Sequence, residues 1–254
     1  MTLILLLLWQ DVGALIRQLG ADDPAAREEA SRRLRAIGAP AAAALREAAS
    51  TGDLETAARA RSILHLFAVR ESLTPNLLSA MPGVDERLAA GDDAVWTEVL
   101  MEAVAEEGGK RKHPKIRVQD LEVLAPRAAR GWKPAGEGRA FEDVLARCGL
   151  KSAVPVLIER SKDPDRDVRH GIMYTLAGLE TPEARRALVP MLDDTDESIR
   201  AMTALCMSYL GTREVAPKLT ELLKDSSFLV RGFAAEALAR IIHERNQSGT
   251  RIAT

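Results

Sequence analysis

The apolar positions of the C-terminal half recur on two periods at once. Within a segment they fall at helical spacing: Val168, Ile172, Leu176 and Leu179 share one face at i, i+4, i+8 and i+11. Between segments they return every 31 residues, as Leu157, Leu188 and Leu219 do, and as Leu179, Leu210 and Ile241 do. A polar frame moves in step, with Asp163, Asp194 and Asp225 in one register and Arg169, Arg200 and Arg231 in another. A fixed period of this length predicts a stack of helical hairpins, each able to bury its apolar face only against a neighbour.

Each unit reads as helix, short polar turn, helix. Val154-Pro155-Val156-Leu157-Ile158 opens the first, and Asp163-Pro164-Asp165 breaks it and caps the next helix. Proline is tolerated in a first helical turn, where aspartate accepts from the free N–H groups. The second unit repeats the pattern with Leu188, Asp194, Ile199, Thr203, Met207 and Leu210; the third has Leu219, Asp225, Val230, Ala234, Leu238 and Ile241. A degenerate copy precedes them. Asp23-Pro24 opens a helix carrying Ala30, Leu34 and Ile37, Gly38-Ala39-Pro40 stops it, and Ala60 and Leu64 follow thirty residues on, after a turn at Gly52-Asp53-Leu54.

The organisation expected from this pattern has five parts. Residues 1–9 are an apolar segment, 10–70 hold about two degenerate hairpins, 151–245 hold the three clear repeats, and 246–254 form a polar tail expected to fray. Over 71–150 the repeat is lost. Helical patterning remains at Ala94–Ala105, Val118–Ala129 and Phe141–Leu150, separated by two glycine- and lysine-rich loops at 107–114 and 131–138. Irregular insertions in a repeat array are common places for binding loops.

The segments Asp163-Pro164-Asp165-Arg166-Asp167-Val168-Arg169, Asp194-Thr195-Asp196-Glu197-Ser198-Ile199-Arg200 and Asp225-Ser226-Ser227-Phe228-Leu229-Val230-Arg231 resemble bacterial HEAT-like repeats of the phycobilisome-lyase type. The third copy lacks the proline and the second aspartate. The resemblance covers 153–245 well, 10–69 loosely and the middle poorly. It implies an all-α fold, a right-handed α-solenoid of HEAT-like hairpins. For function it implies an interaction module or accessory subunit rather than one activity, because this repeat serves many unrelated roles.

Composition agrees with helix throughout. Alanine, leucine, arginine and glutamate are abundant, and aromatics make up only 4% of the 254 residues. The net charge of −2 gives no global drive toward nucleic acid or an anionic membrane. Leu3-Ile4-Leu5-Leu6-Leu7-Leu8-Trp9 is too short to span a bilayer and has no basic residue before it. It reads either as a first helix packed on the array or as a short export signal, so the compartment stays open between cytoplasm and export. Cys148 and Cys206 sit among apolar neighbours and read as buried thiols rather than a disulfide, a metal site or a nucleophile.

Three sets of residues carry the candidate chemistry. The ladder of Asp163, Arg169, Asp194, Arg200, Asp225 and Arg231 recurs in every copy, which assigns it to turn capping and inter-repeat pairing rather than to an acid–base pair. Opposite the apolar face of the second helices lie Asp167, His170 and Tyr174, then Ser198, Ala201, Leu205 and Tyr209, then Leu229, Gly232, Glu236 and Arg240. Tyr174 and Tyr209 are the chain's two tyrosines, a residue type enriched at interfaces. That face, with His170, Tyr174, Tyr209, Glu236 and Arg240, is the expected partner-binding surface. The third set is a basic patch of Lys110, Arg111, Lys112, Lys115, Arg117, Arg127, Arg130, Trp132 and Lys133. With Arg139, the segment from 110 to 139 carries nine basic and three acidic residues, a net +6, which leaves −8 for the remainder.

Enzyme signatures are missing from the sequence. No glycine-rich phosphate loop joins a strand to a helix, and no strands are evident. His65, His113, His170 and His243 lack the i, i+4 spacing of a helical metal pair. His243-Glu244 is similar to the His-Glu pairs of HEAT-like di-iron hydroxylases, but only one copy is present. The expected function is therefore a monomeric, cofactor-free scaffold or adaptor that binds a protein partner. The alternatives are a nucleic-acid-binding helical-repeat protein using the basic segment, with HEAT-like DNA glycosylases among them, and a bilin lyase or chaperone-like accessory protein.

Overall fold

The computed structural model describes residues 11–107, 109–134, 140–210 and 213–250, with side chains to His243. The apolar segment 1–9 and the end of the tail, 251–254, lie outside the described residues. The chain forms two compact units, Met1–Asp92 and Asp93–Thr254.

The first unit contains helical residues 11–18 (α1), Pro24–Ile37 (α2), Ala42–Thr51 (α3), Leu54–Ser72 (α4), Pro75–Ala80 (α5) and Val84–Ala90 (α6). Its core joins Leu15 and Leu19 to Ala30, Leu34, Leu45 and Ile63, all essentially solvent-free. The helix starts follow from the sequence. Asp23 accepts from the Ala25 amide at 3.0 Å, and Asp53 accepts from both the amide and the hydroxyl of Thr56. Gly38, at φ 72°, ends α2 in a conformation other residues avoid. Proline stands in the first turn of α2 and of α5, where the missing N–H is not needed.

The second unit contains Asp93–Val104 (α7), Val118–Glu122 (α8), Ala125–Gly131 (α9), Ala140–Cys148 (α10), Val154–Arg160 (α11), Arg166–Leu179 (α12), Pro182–Leu188 (α13), Glu197–Leu210 (α14), Ala216–Leu222 (α15) and Phe228–Thr250 (α16). Helices α11 and α12, α13 and α14, and α15 and α16 form the three hairpins of the 31-residue period. Leu157, Leu188 and Leu219 line the first helices, and Ile172, Thr203 and Ala234 the second, all at 0–1% exposure. Two of the short first helices, α11 and α15, share a start. A 3₁₀ turn at Lys151–Ala153 or Arg213–Val215 runs into a helix whose first turn holds Pro155 or Pro217.

Several details depart from the sequence reading. The middle segment does not abandon the stack: α9 packs on α11 and α10 on α12, so these two helices occupy the place of a further hairpin. The sequence hid this hairpin because its turn lacks the Asp–Arg frame, while Leu145, Leu176 and Met207 keep the interval in the core. The helix expected over 118–129 is broken at Val123–Leu124, since Pro126 fits only a first helical turn. A small antiparallel ladder, Glu106–Glu107 (β1) with Lys110–Arg111 (β2), closes a turn where no strand was expected. The last helix runs to Thr250, into the segment expected as a polar tail.

Two glycines of the second unit test the packing in opposite directions. A Cβ at Gly131 would come within 2.0 Å of the Asp93 backbone, whereas one at Gly232 would meet nothing within 4 Å. Gly131→Ala should lower stability by about 2–3 kcal/mol through overpacking. Gly232→Ala should raise it by about 0.5–1 kcal/mol, because alanine favours a helix interior. Urea denaturation of the two variants beside the parent checks both signs.

Candidate functional site

The turns of the three hairpins are tied together by one repeated arginine geometry. The side chain of Arg169 reaches in two directions. Its Nη1 donates to the carbonyls of Asp163 and Pro164 in its own turn, at 3.0 and 3.1 Å. Its Nε and Nη2 donate to the two oxygens of Asp194 in the next hairpin, at 2.8 and 2.9 Å. Arg200 repeats this, clamping the carbonyls of Asp194 and Thr195 and forking onto Asp225 at 2.9 Å for each bond. Arg231 clamps the carbonyls of Asp225 and Ser226, both at 2.8 Å. Each aspartate also accepts the amide two residues on: Asp165 to Asp163, Asp196 to Asp194, and Ser227 to Asp225.

The pairs are well shielded, with side-chain exposures of 12 and 7% for Arg169–Asp194 and 15 and 10% for Arg200–Asp225. A second, more exposed rung joins Arg166 to Asp196 at 2.8 Å. The electrostatics follow the geometry. Burial works to raise the Asp194 carboxyl, but the bonds from Arg169 and the Asp196 amide bring it below the usual carboxylate value. At Asp225 the bonds from Arg200 dominate the opposing effect of burial and lower it as well. The guanidinium groups of Arg169 and Arg200 are correspondingly raised by their aspartate partners.

Two members of this system escaped the sequence reading. Arg160 donates from Nη1 to the carbonyls of Ala129 and Trp132, both at 2.7 Å, and from Nη2 to Asp163 at 3.3 Å. It links α9 to the first ladder aspartate. In the first unit Arg27 clamps the carbonyls of Ala21 and Asp22, six and five residues back, as the ladder arginines do. The Asp-Pro-Ala-Ala-Arg spacing was the available signal. Ala21 stands where the ladder has aspartate, so only half of the device is kept there.

The expected partner-binding residues fall into two groups. His170 and Tyr174 are half-buried and meet edge to face, with ring centroids 4.9 Å apart. Tyr209 is 65% exposed, Arg240 lies 4.3 Å over its ring, and Glu236 holds Arg240 at 3.3 Å. Ala201, expected on the same outward face, is buried because α16 packs against α14 there.

The basic segment is less open than its composition suggests. Trp132 is buried and stacks on Phe141 at 5.5 Å, so it belongs to the core and not to a surface patch. Arg127 bonds Asp93 at 2.6 Å and lies 4.3 Å over the ring of Trp96. Arg130 faces Glu159, and Lys112 faces Glu102, each at 3.8 Å. Lys110 and Arg111 lie on β2, in register with Glu107 and Glu106. Lys115 also has a partner, and Arg117 and Lys133 are exposed. Carboxylates from outside the segment thus offset much of its +6. Arg139 and Glu137 lie outside the described residues.

No group of three or more His, Cys, Asp or Glu side chains among the described residues could hold a metal ion. The Glu244 side chain of the His243-Glu244 pair is not described. Cys148 and Cys206 are free and half-buried, and burial pushes the Cys206 thiol up, away from nucleophile character. No helix among the described residues is long and apolar enough to cross a membrane.

A family model of HEAT repeats matches residues 121–205 and 186–248, together half of the chain. A phycocyanin operon protein Z of Pseudanabaena tenuis (strain PCC 7409), itself described as uncharacterized, is 27% identical over 90 residues. That alignment takes in 35% of this chain and 45% of the relative, so the chain spans under half of the relative's length. Two crystal structures of engineered proteins align over 91 and 92% of this chain and 78 and 97% of theirs, with 18 and 19% identity. Their TM-scores are 0.34 and 0.33, too low to support an argument about shape.

The shielded rungs set two expectations. Arg200→Met leaves Asp225 without its fork and should lower stability on the order of 2–4 kcal/mol. The acid limb has a defined sign. Asp194 and Asp225 are lowered in the folded state, so their contribution is complete above the unfolded carboxylate value of about 3.9 and is lost as pH falls through the folded values. Urea titrations from pH 7 to pH 2.5 should show the gap between parent and Arg200→Met narrowing below about pH 4, to the part held by the bonds to the Asp194 and Thr195 carbonyls.

Proposed function

The chain belongs to the HEAT-repeat family, and from that membership we propose that it is a non-catalytic scaffold binding a protein partner across the second helices of its C-terminal hairpins. The observation that carries this reading is the Tyr209–Arg240–Glu236 group. An exposed tyrosine is held under a guanidinium, which is itself fixed by a carboxylate one helical turn away. Tyrosine and arginine are the residue types that dominate binding energy at interfaces, and prior ordering reduces the entropy lost on docking. Tyr174, in edge contact with His170, and the half-buried Leu205 extend the same register along the neighbouring second helices.

The paired state of Arg127, Arg130 and Lys112 supports a protein partner over nucleic acid, because a phosphate backbone is held by cations free to displace counterions. The similarity to a phycocyanin operon protein favours one second reading, an accessory role on a tetrapyrrole-bearing protein. Mixing with a free bilin distinguishes it: a shift in absorbance supports that reading, and an unchanged spectrum counts against it.

Affinity capture of partners with the parent chain, followed by direct titration of the purified partner, tests the scaffold reading. Tyr209→Ala and Arg240→Ala should each weaken binding by about tenfold, as truncation at an interface centre does. Binding within twofold of the parent for both variants would remove this face from the interface.

A further inference from the structure

The last rung of the arginine ladder is open. Arg231 keeps the clamp on its own turn, yet among the described residues no carboxylate meets its outer edge, where Arg169 receives Asp194 and Arg200 receives Asp225. The helix that carries it is open along the same side. One repeat earlier, Ala201, Ala204 and Ser208 of α14 are buried, at 2, 0 and 5%. Their counterparts on α16 are Gly232, Ala235 and Ala239, all exposed, with Phe228 at 72% and Ile242 at 56% at either end. These positions have kept small or apolar side chains although nothing in the described structure covers them. The third turn has also exchanged the charged Arg166 and Glu197 of earlier copies for Phe228.

We propose that this edge of α16 docks a helical hairpin of a different protein, which seats a turn aspartate on Arg231. The charge complement is set by the ladder itself: an unfilled guanidinium fork in a geometry that takes a bidentate carboxylate at 2.8–2.9 Å in both preceding rungs. The small side chains permit close approach of a helix, and Phe228 and Ile242 supply apolar contact at the ends. A second copy of this chain does not meet the requirement. Asp163, Asp194 and Asp225 are already engaged by Arg160, Arg169 and Arg200, and the turn clamped by Arg27 has Ala21 in the ladder position. This surface is separate from the Tyr209–Arg240 group and does not depend on the reading given to that group.

A dye-labelled synthetic peptide of residues 188–210, which carries Asp194 and fills this place against α12 inside the array, serves as the probe. Fluorescence anisotropy on titration with the full chain should show saturable binding. Changing Asp194→Asn in the peptide, or Arg231→Met or Gly232→Glu in the chain, should each weaken it by at least about tenfold. Gly232→Glu extends into open space, so its fold is expected to be intact even if Arg231→Met loosens the turn. Tyr209→Ala in the chain should leave binding within twofold. Absence of saturable binding, equal binding by the Asp194→Asn peptide, or loss with Tyr209→Ala would overturn the proposal. Sedimentation of the chain alone completes the test: a monomer is expected, and self-association abolished by Arg231→Met would replace the foreign hairpin by a second copy and overturn the choice of partner.

Discussion

The C-terminal array depends on one interaction, the arginine that grips the carbonyls of its own turn and forks onto the aspartate of the next. Apolar burial drives the hairpins together, but it is non-directional and does not by itself select a register. A bidentate guanidinium–carboxylate pair does, because both oxygens must meet two fixed donors at once. The aspartate simultaneously accepts an amide two residues on, so a single side chain shapes the turn and receives the previous hairpin, while Asp165 and Asp196 cap the second helices. Registering each repeat on its neighbour in this way makes stability a sum of nearest-neighbour terms.

That economy explains where the chain is free to vary. Positions on the ladder and beneath Leu157, Leu188 and Leu219 are fixed by packing. Variation is tolerated on the outward face of the second helices, where Tyr174, Leu205 and Glu236 share one register and Gly178, Tyr209 and Arg240 another. It is tolerated again in the third turn, where Phe228 and Leu229 replace the polar residues of earlier turns. Function in such a fold is expected at places like these, since changes there leave the register intact.

Much of the architecture was legible because the repeat states it several times. The three hairpins, their capping aspartates and the buried leucines could be placed from spacing alone. The hairpin of α9 and α10 was not legible: Trp132 and Gly138 stand where the ladder has Asp and Arg, and only the core spacing survives, which any amphipathic helix shares. Arg27 was hidden by the substitution of alanine for its aspartate. Charge counting misjudged the middle segment because a linear sum ignores partners contributed from elsewhere, such as Asp93 and Glu159. It also placed Trp132 on the surface, when an aromatic ring of that size is more stable stacked on Phe141 in the core. The direction of outward side chains was clear from helical periodicity, but not whether the next helix would cover them, as α16 covers Ala201.

A double-mutant cycle on Arg169→Met and Asp194→Asn, read by equilibrium unfolding, tests most directly that the ladder couples one hairpin to the next. The two changes should be coupled by about 1.5–3 kcal/mol, the range for directly bonded partners in one network, and by much more than the exposed Arg166–Asp196 rung in a parallel cycle. Additivity within about 0.5 kcal/mol would contradict the account and leave apolar packing alone to set the register.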